Sequence, residues 1–194
     1  MATPQELRKN LALKLDDTPY QVVDFQHVKP GKGAAFTRTT LRNISTGESI
    51  ERTFHADEQL EIAQLDKKDV TFLSPEGTTY AFMDSSTYEQ YEVSEEVLGQ
   101  SRWYLESDMS CLLVLYEGSA IAVEIPTTVV REIVDTTPPV KENTSGNVMK
   151  PARIPSGLEV QVPQFCAVGD KIKIDTRTGD YLGRIDERAR ASSP

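Results

Sequence analysis

Within the seven residues Lys29-Pro30-Gly31-Lys32-Gly33-Ala34-Ala35, a long cation at Lys32 stands between two glycines and two positions after a proline. Pro30 fixes one φ angle, and Gly31 and Gly33 remove the Cβ constraint on either side of the lysine. That composition predicts a hairpin tip projecting one ammonium group. About three residues on each side, at ~3.3 Å each, lift the tip by about 10 Å before the side chain is added. The chemistry open to such a group is electrostatic, the approach of a cation to RNA in a narrow cavity. The same tetrapeptide also reads as an ordinary turn carrying a solvated lysine. It is not a phosphate-cradling P-loop: Gly33 is followed by Ala34-Ala35-Phe36, and no Gly-x-x-x-x-Gly-Lys-Ser/Thr spacing exists. That argues against a GTPase-type factor.

The strand expected after the loop strengthens the nucleic-acid reading. Arg38, Thr40 and Arg42 alternate and so share one face, with Lys29 at the loop base. Together with Lys32 they suit a sugar–phosphate track, where phosphates set register rather than sequence. A solvated strand face is the bland alternative. Other chemistry is thin. His27 and His55 are too few for most metal sites and read as strand or loop residues, so no metal and no cofactor are expected. Cys111 and Cys166 lie 55 positions apart without a Cys-x-x-Cys pair, and no disulfide is expected between them. Glu106, Asp108 and Asp135 would be the carboxylates of an enzyme, but no His, Cys or Ser partner has recognisable spacing. The chain is therefore read as no enzyme.

The elements that must position these residues are short strands closed by turns. Gln21–Val28 and Ala34–Ile44 flank the lysine loop, Ser45-Thr46-Gly47-Glu48 is a turn, and Ser49–Phe54 returns from it. Val70–Leu73 and Thr78–Met83 are joined by Ser74-Pro75-Glu76-Gly77, read as a tight turn. Cys111–Tyr116 with Ala120–Ile125, and Lys171–Asp175 with Tyr181–Ile185, repeat the pattern. Helical signal is confined to Gln59–Leu65 and Ser94–Leu98, a turn or two each. Many evenly spaced strands without long helices predict an all-β fold of small barrels or sandwiches, and three small barrels fit the length better than one large sandwich. Loops around Leu65–Asp69 and Ile125–Val129 divide the chain into 1–65, 66–128 and 129–188, with a disordered tail at 189–194.

The net charge of −9 over 194 residues is unevenly spread. Residues 1–43 carry seven basic against four acidic groups, the rest 14 against 26, and residues 81–117 eight carboxylates against Arg102 alone. A polyanion can therefore be met only by one end of the molecule. No apolar run approaches the ~18 residues of a membrane span, and no signal segment opens the chain, so a cytoplasmic protein without a membrane role is expected.

With these residues in hand, the sequence resembles the bacterial elongation factor P family along nearly its whole length. Val28-Lys29-Pro30-Gly31-Lys32-Gly33-Ala34-Ala35-Phe36 is similar to the family's modified-lysine loop, and Arg38, Leu41 and Arg42 fall on its tRNA-contacting strand. Lys150-Pro151-Ala152, Gly157, Val160, Val162-Pro163, Gly169, Ile172, Ile174 and the run Asp175–Tyr181 with Arg184 resemble its C-terminal signature. The resemblance implies three small β-barrels in an L-shaped arrangement, an SH3-like N-terminal domain followed by two OB-type domains. It implies a monomer whose partners are the ribosome, its rRNA and peptidyl-tRNA, bound between the peptidyl and exit sites.

On that resemblance Lys32 approaches the tRNA acceptor end and helps peptide bonds form at polyproline stalls. Lys29, Pro30, Gly31, Gly33, Arg38 and Arg42 contact tRNA or rRNA. A lysine-modifying enzyme acts on Lys32, and additions in this branch include a β-lysyl group and an aminopentanol group. Asn143, Thr144 and Gly146, with Tyr181 and Arg184, are placed towards mRNA or the ribosome. The segment Glu142–Asn147 keeps Thr144 and Gly146 of the family's usual Gly-Asp-Thr-Ala-Gly pattern but changes most neighbours. The alternative is an elongation-factor-P-like paralogue with the same barrels and a different stalling-motif preference.

Overall fold

A computed structural model of the protein describes residues 1–138 and 148–185. The first barrel is one antiparallel sheet built from β1 (Ala12–Leu15), β2 (Thr18–Val28), β3 (Phe36–Asn43), β4 (Ser49–His55) and β5 (Glu61–Ile62), in the order β4-β3-β2-β1-β5. Leu7, Leu13, Val22, Leu41, Phe54 and Leu60 fill its interior. The long hairpin β2–β3 carries the lysine loop. Its register runs from Tyr20 opposite Asn43 to Val28 opposite Phe36, with a bulge between Val22 and Asp24. The extra residue, Val23, lets Val22 point inward with Leu41 while Phe25 points inward with Thr39, so alternation restarts one residue late. Gln59–Leu65, expected as a helical turn, is extended. Leu60 N donates to the Ala2 carbonyl at 2.8 Å and Ala63 N to that of Ala12 at 3.0 Å, and this pairing buries both side chains.

The second barrel holds β6 (Leu65–Glu76), β7 (Thr79–Asp84), β8 (Gln90–Ser94), β9 (Ser110–Tyr116) and β10 (Ser119–Glu124), in the order β10-β9-β6-β7-β8. Between β8 and β9 lie the short α1 (Glu95–Leu98), where Ser94 Oγ accepts from Val97 N, and a 3-10 stretch at Gly99–Tyr104. The expected turn of helix at Ser94–Leu98 is present. Two local readings are corrected. Leu65–Asp69 is not a loop but the start of β6, paired with Leu112–Tyr116 of β9. Pro75 does not turn the chain; it lies in β6 opposite Tyr80, and the turn falls on Gly77-Thr78. Pairing with β9 ends at Thr71, so the missing N–H of Pro75 faces no ladder on that side.

The third barrel comprises β11 (Thr128–Glu132), β12 (Asp135–Thr136), β13 (Met149–Arg153), β14 (Glu159–Pro163), β15 (Lys171–Asp175) and β16 (Tyr181–Ile185). They form two sheets, β11-β15-β16 and β12-β13-β14, around Val129, Ile133, Ile154, Val162, Ile172 and Ile174. The last hairpin matches its expected bounds at both strands. Tyr104, from the second barrel, is 5% exposed and buried in this core rather than its own, and Met109 and Ile125 pack against both. Cys111 and Cys166 are buried free thiols. The positions Asn143, Thr144 and Gly146 and the tail at 189–194 lie outside the described residues.

Candidate functional site

The lysine loop occupies residues 29–35, closed at its base by the Val28–Phe36 pair. β4 follows the hairpin to that base: His55 pairs with Phe36, and Ala56 N donates to the Ala35 carbonyl at 3.2 Å. The support therefore stops where the loop starts. Lys32 is the fourth of the seven residues, at the apex, and Lys29 through Ala34 are all exposed. Among the described residues neither Lys29, Lys32 nor Arg38 has a hydrogen-bonded side-chain partner or an ion pair.

Below the loop the alternation expected of β3 is observed. Thr37, Thr39 and Leu41 are buried, while Arg38 and Arg42 are exposed on the other face with half-buried Thr40 between them. Arg38 lies between Gln26 and Thr53, both uncharged. Thr40 lies between Asp24 and Glu51, and Lys9 covers the Asp24 carboxylate at 3.0 Å. Lys9, through its hydrogen bond and then its charge, holds the Asp24 carboxyl below the usual carboxylate range. Residues 25–47 contain Lys29, Lys32, Arg38 and Arg42 and no carboxylate at all, in a chain of net charge −9. Arg42 differs from the others: its Nε donates to the Gly47 carbonyl at 3.2 Å, bracing the β3–β4 turn.

On the inner face His27 Nδ1 and Thr37 Oγ1 are 2.8 Å apart, and the His27 ring meets Phe25 edge-on at 5.3 Å. That is a packing role. Among the described residues no group of His, Cys, Asp and Glu is arranged to hold a metal. Glu106, weighed as a catalytic carboxylate, is ion-paired with Arg131 at 2.9 Å.

Tyr181 and Arg184 belong to the third barrel and are not brought to the lysine loop. Tyr181 is half-buried against the core and lines a cleft of about 580 Å³ with Tyr104, Met149 and Leu158. The Arg184 guanidinium lies over the Phe165 ring at 5.4 Å, with Asp170 at 3.5 Å. The sequence reading missed Arg131. Its side chain is 10% exposed, and it donates to the Tyr104 carbonyl and faces Met109 Sδ at 3.7 Å, tying the third barrel to the second. The available signal was strand parity: Arg131 alternates into the face shared by Val129 and Ile133.

A basic, lysine-tipped hairpin on a small β-barrel, followed by two further barrels, defines a chain built from SH3-like and OB-type modules. Three family models cover the chain in order: the elongation factor P KOW-like domain over residues 3–60, the elongation factor P OB domain over 65–123 and the elongation factor P C-terminal domain over 129–184. The chain belongs to the elongation factor P family. It is 44% identical over 185 residues to elongation factor P of Pelotomaculum thermopropionicum, covering 95% of this chain and all of the relative. It is 41% identical over 187 residues to that of Kocuria rhizophila, covering 96% of this chain and all of the relative. Among solved structures, translation initiation factor 5A from Methanococcus jannaschii superposes with a TM-score of 0.52 over 63% of this chain and 92% of that one. At 22% identity this likeness speaks to the fold. Among the described residues no helix is long and apolar enough to cross a membrane.

Proposed function

We propose that this translation factor binds the ribosome in the cytoplasm beside peptidyl-tRNA and promotes peptide bond formation at polyproline stalls. Lys32, enlarged by a modifying enzyme, reaches towards the acceptor end of the tRNA. The observation that carries the reading is the apex position of an exposed, unpaired Lys32 on a hairpin end free of carboxylates. Proline is a conformationally restricted participant in peptide transfer, so correct placement of the reacting ends matters. A cation beside the acceptor end holds the peptidyl-tRNA in a reactive geometry and opposes its loss. The ribosome performs the chemistry; Lys32 is a positional and electrostatic aid, and the factor acts as a monomer without a cofactor.

Arg38 and Lys29 extend the contact along a sugar–phosphate strand. In this reading the strongly acidic second barrel stays away from RNA, because phosphate is repelled there. The test is Lys32→Ala in a translation assay on a polyproline template. The variant is expected to unfold at the wild-type temperature, since the side chain is exposed and makes no hydrogen bond or ion pair among the described residues, and to lose relief of stalling. Full activity on that template would remove Lys32 from the mechanism.

A further inference from the structure

The sheet β12-β13-β14 of the third barrel ends on β14, an edge strand. Ile154 N donates to the Leu158 carbonyl at 3.1 Å, so by alternation the next hydrogen-bonded pair of that ladder is Ala152–Val160. Pro151, which has no N–H to give, stands opposite Gln161 in a pair that needs none. Glu159 and Gln161 therefore turn their backbone N–H and C=O away from β13. Both line the cleft of about 580 Å³ that lies between β14, Tyr104 of the second barrel and the turn at Gly179.

Tyr104 supplies the second observation. It is 5% exposed, yet its hydroxyl makes no hydrogen bond among the described residues. The oxygen lies at the cleft wall, 3.4 Å from where a Cβ on Gly179 would stand. Buried polar groups are satisfied as a rule, so a hydroxyl left open at a cleft points to an external partner. Burial first, then the charges of Asp175 and Asp180, push its pKa above the usual tyrosine range and keep it a neutral hydroxyl. The charged groups of the lining are Glu159 and Asp180, and neither carboxylate makes a hydrogen bond or ion pair among the described residues. Arg153 lies opposite Glu159 without an ion pair to it, and Arg177 is held by Asp175.

We propose that this cleft receives an extended basic segment of a partner protein, which adds a strand along β14 and places an arginine against Glu159, Asp180 and the Tyr104 hydroxyl. Free edge N–H and C=O groups pair with a peptide backbone, and alternate side chains then enter the cleft. A guanidinium suits two carboxylates and a hydroxyl because its donors form a planar fork. An RNA strand is disfavoured because its phosphates would meet two unpaired carboxylates, and a second copy of this chain brings a net charge of −9. Nothing in this inference depends on the reading of the lysine tip.

The experiment titrates a capped peptide, Thr-Arg-Val-Arg-Thr, into the isotope-labelled full chain and follows backbone amide shifts at low salt. Saturable shifts confined to β14, the turn at 178–180 and Tyr104 are expected. Glu159→Gln with Asp180→Asn should weaken binding about fivefold, since both side chains are exposed. Tyr104→Phe should weaken it about threefold while unfolding at or above the wild-type temperature, because the lost hydroxyl has no partner within the chain. A peptide N-methylated at its central amides should not bind. Absence of saturation, shifts centred elsewhere, or equal binding of a peptide with glutamate in place of arginine would overturn the proposal. So would tighter binding of a single-stranded RNA hexamer at the same residues. Equal binding of the N-methylated peptide would overturn strand addition along β14.

Discussion

Lys32, Arg38 and Arg42 are cations of one hairpin in three different circumstances. Lys32 has no surroundings to satisfy it, Arg38 stands on a strand face between uncharged neighbours, and Arg42 spends one nitrogen on the Gly47 carbonyl. The difference orders their roles. A residue already bonded within its own turn contributes to stability when intact, so its loss confuses folding with binding. Arg38 is the cleaner probe of a phosphate contact. Arg38→Ala is expected to weaken ribosome binding and to reduce the slope of log affinity against log salt by about one phosphate contact. Identical salt titrations for wild type and variant would count against that contact.

At the scale of elements, the turns hold the barrels in register, and the β15–β16 turn can be interrogated by pH. The Asp175 carboxylate, with a side chain 12% exposed, accepts from Arg177 Nη2 at 2.7 Å, from Arg177 Nε at 3.1 Å and from the Arg177 backbone N at 2.8 Å. These bonds, the side-chain ones foremost, pull its pKa down to about 2. An unfolded aspartate titrates near ~3.9. The folded value is the lower one, so the stabilisation is complete above the unfolded pKa and fades as the pH falls towards the folded one. The difference in unfolding temperature between wild type and Asp175→Asn should be constant above about pH 5 and close between about pH 4 and pH 2. A gap that persists unchanged to pH 2 would mean that the turn does not depend on the carboxylate's charge.

Across the whole molecule the joints are unequal. The second and third barrels share buried side chains: Tyr104 sits in the third core, Met109 and Ile125 touch both, and Thr176 Oγ1 donates to the Pro126 carbonyl at 2.8 Å. Arg131 adds its bonds to Tyr104 and Glu106, and burial pulls its guanidinium below the usual arginine range. Polar contacts from the first barrel to the second gather on Lys14, which faces Glu117 at 3.8 Å, with the glutamate 69% exposed, and also meets Tyr116. A long pair with so exposed a carboxylate contributes little and is screened by salt. Arg131→Met should therefore cost about 2 kcal/mol, because the Tyr104 carbonyl is left without its donor. In denaturant melts with probes on each barrel, the loss is expected in the second and third and not in the first. An equal shift in all three would place Arg131 outside the joint.

Much of this was legible along the chain. Strands and turns such as Lys171–Asp175, Gly179 and Tyr181–Ile185 follow from short-range preferences, since β-branched residues favour extended backbone and glycine accepts positive φ. So does the exposed lysine loop, whose composition leaves nothing apolar at its apex to bury. The tertiary structure decided what depends on partners far away in sequence. The bulge at Val23 exists because Val22 and Phe25 must both face one interior, and β6 runs through Leu65–Asp69 because β9 lies beside it. Gly31 and Gly33 are interchangeable letters until φ separates them, and Arg131 is an ordinary strand cation until Tyr104, 27 residues earlier, is packed against it. Local conformational preference is written residue by residue; burial and pairing are settled only when distant segments occupy the same space.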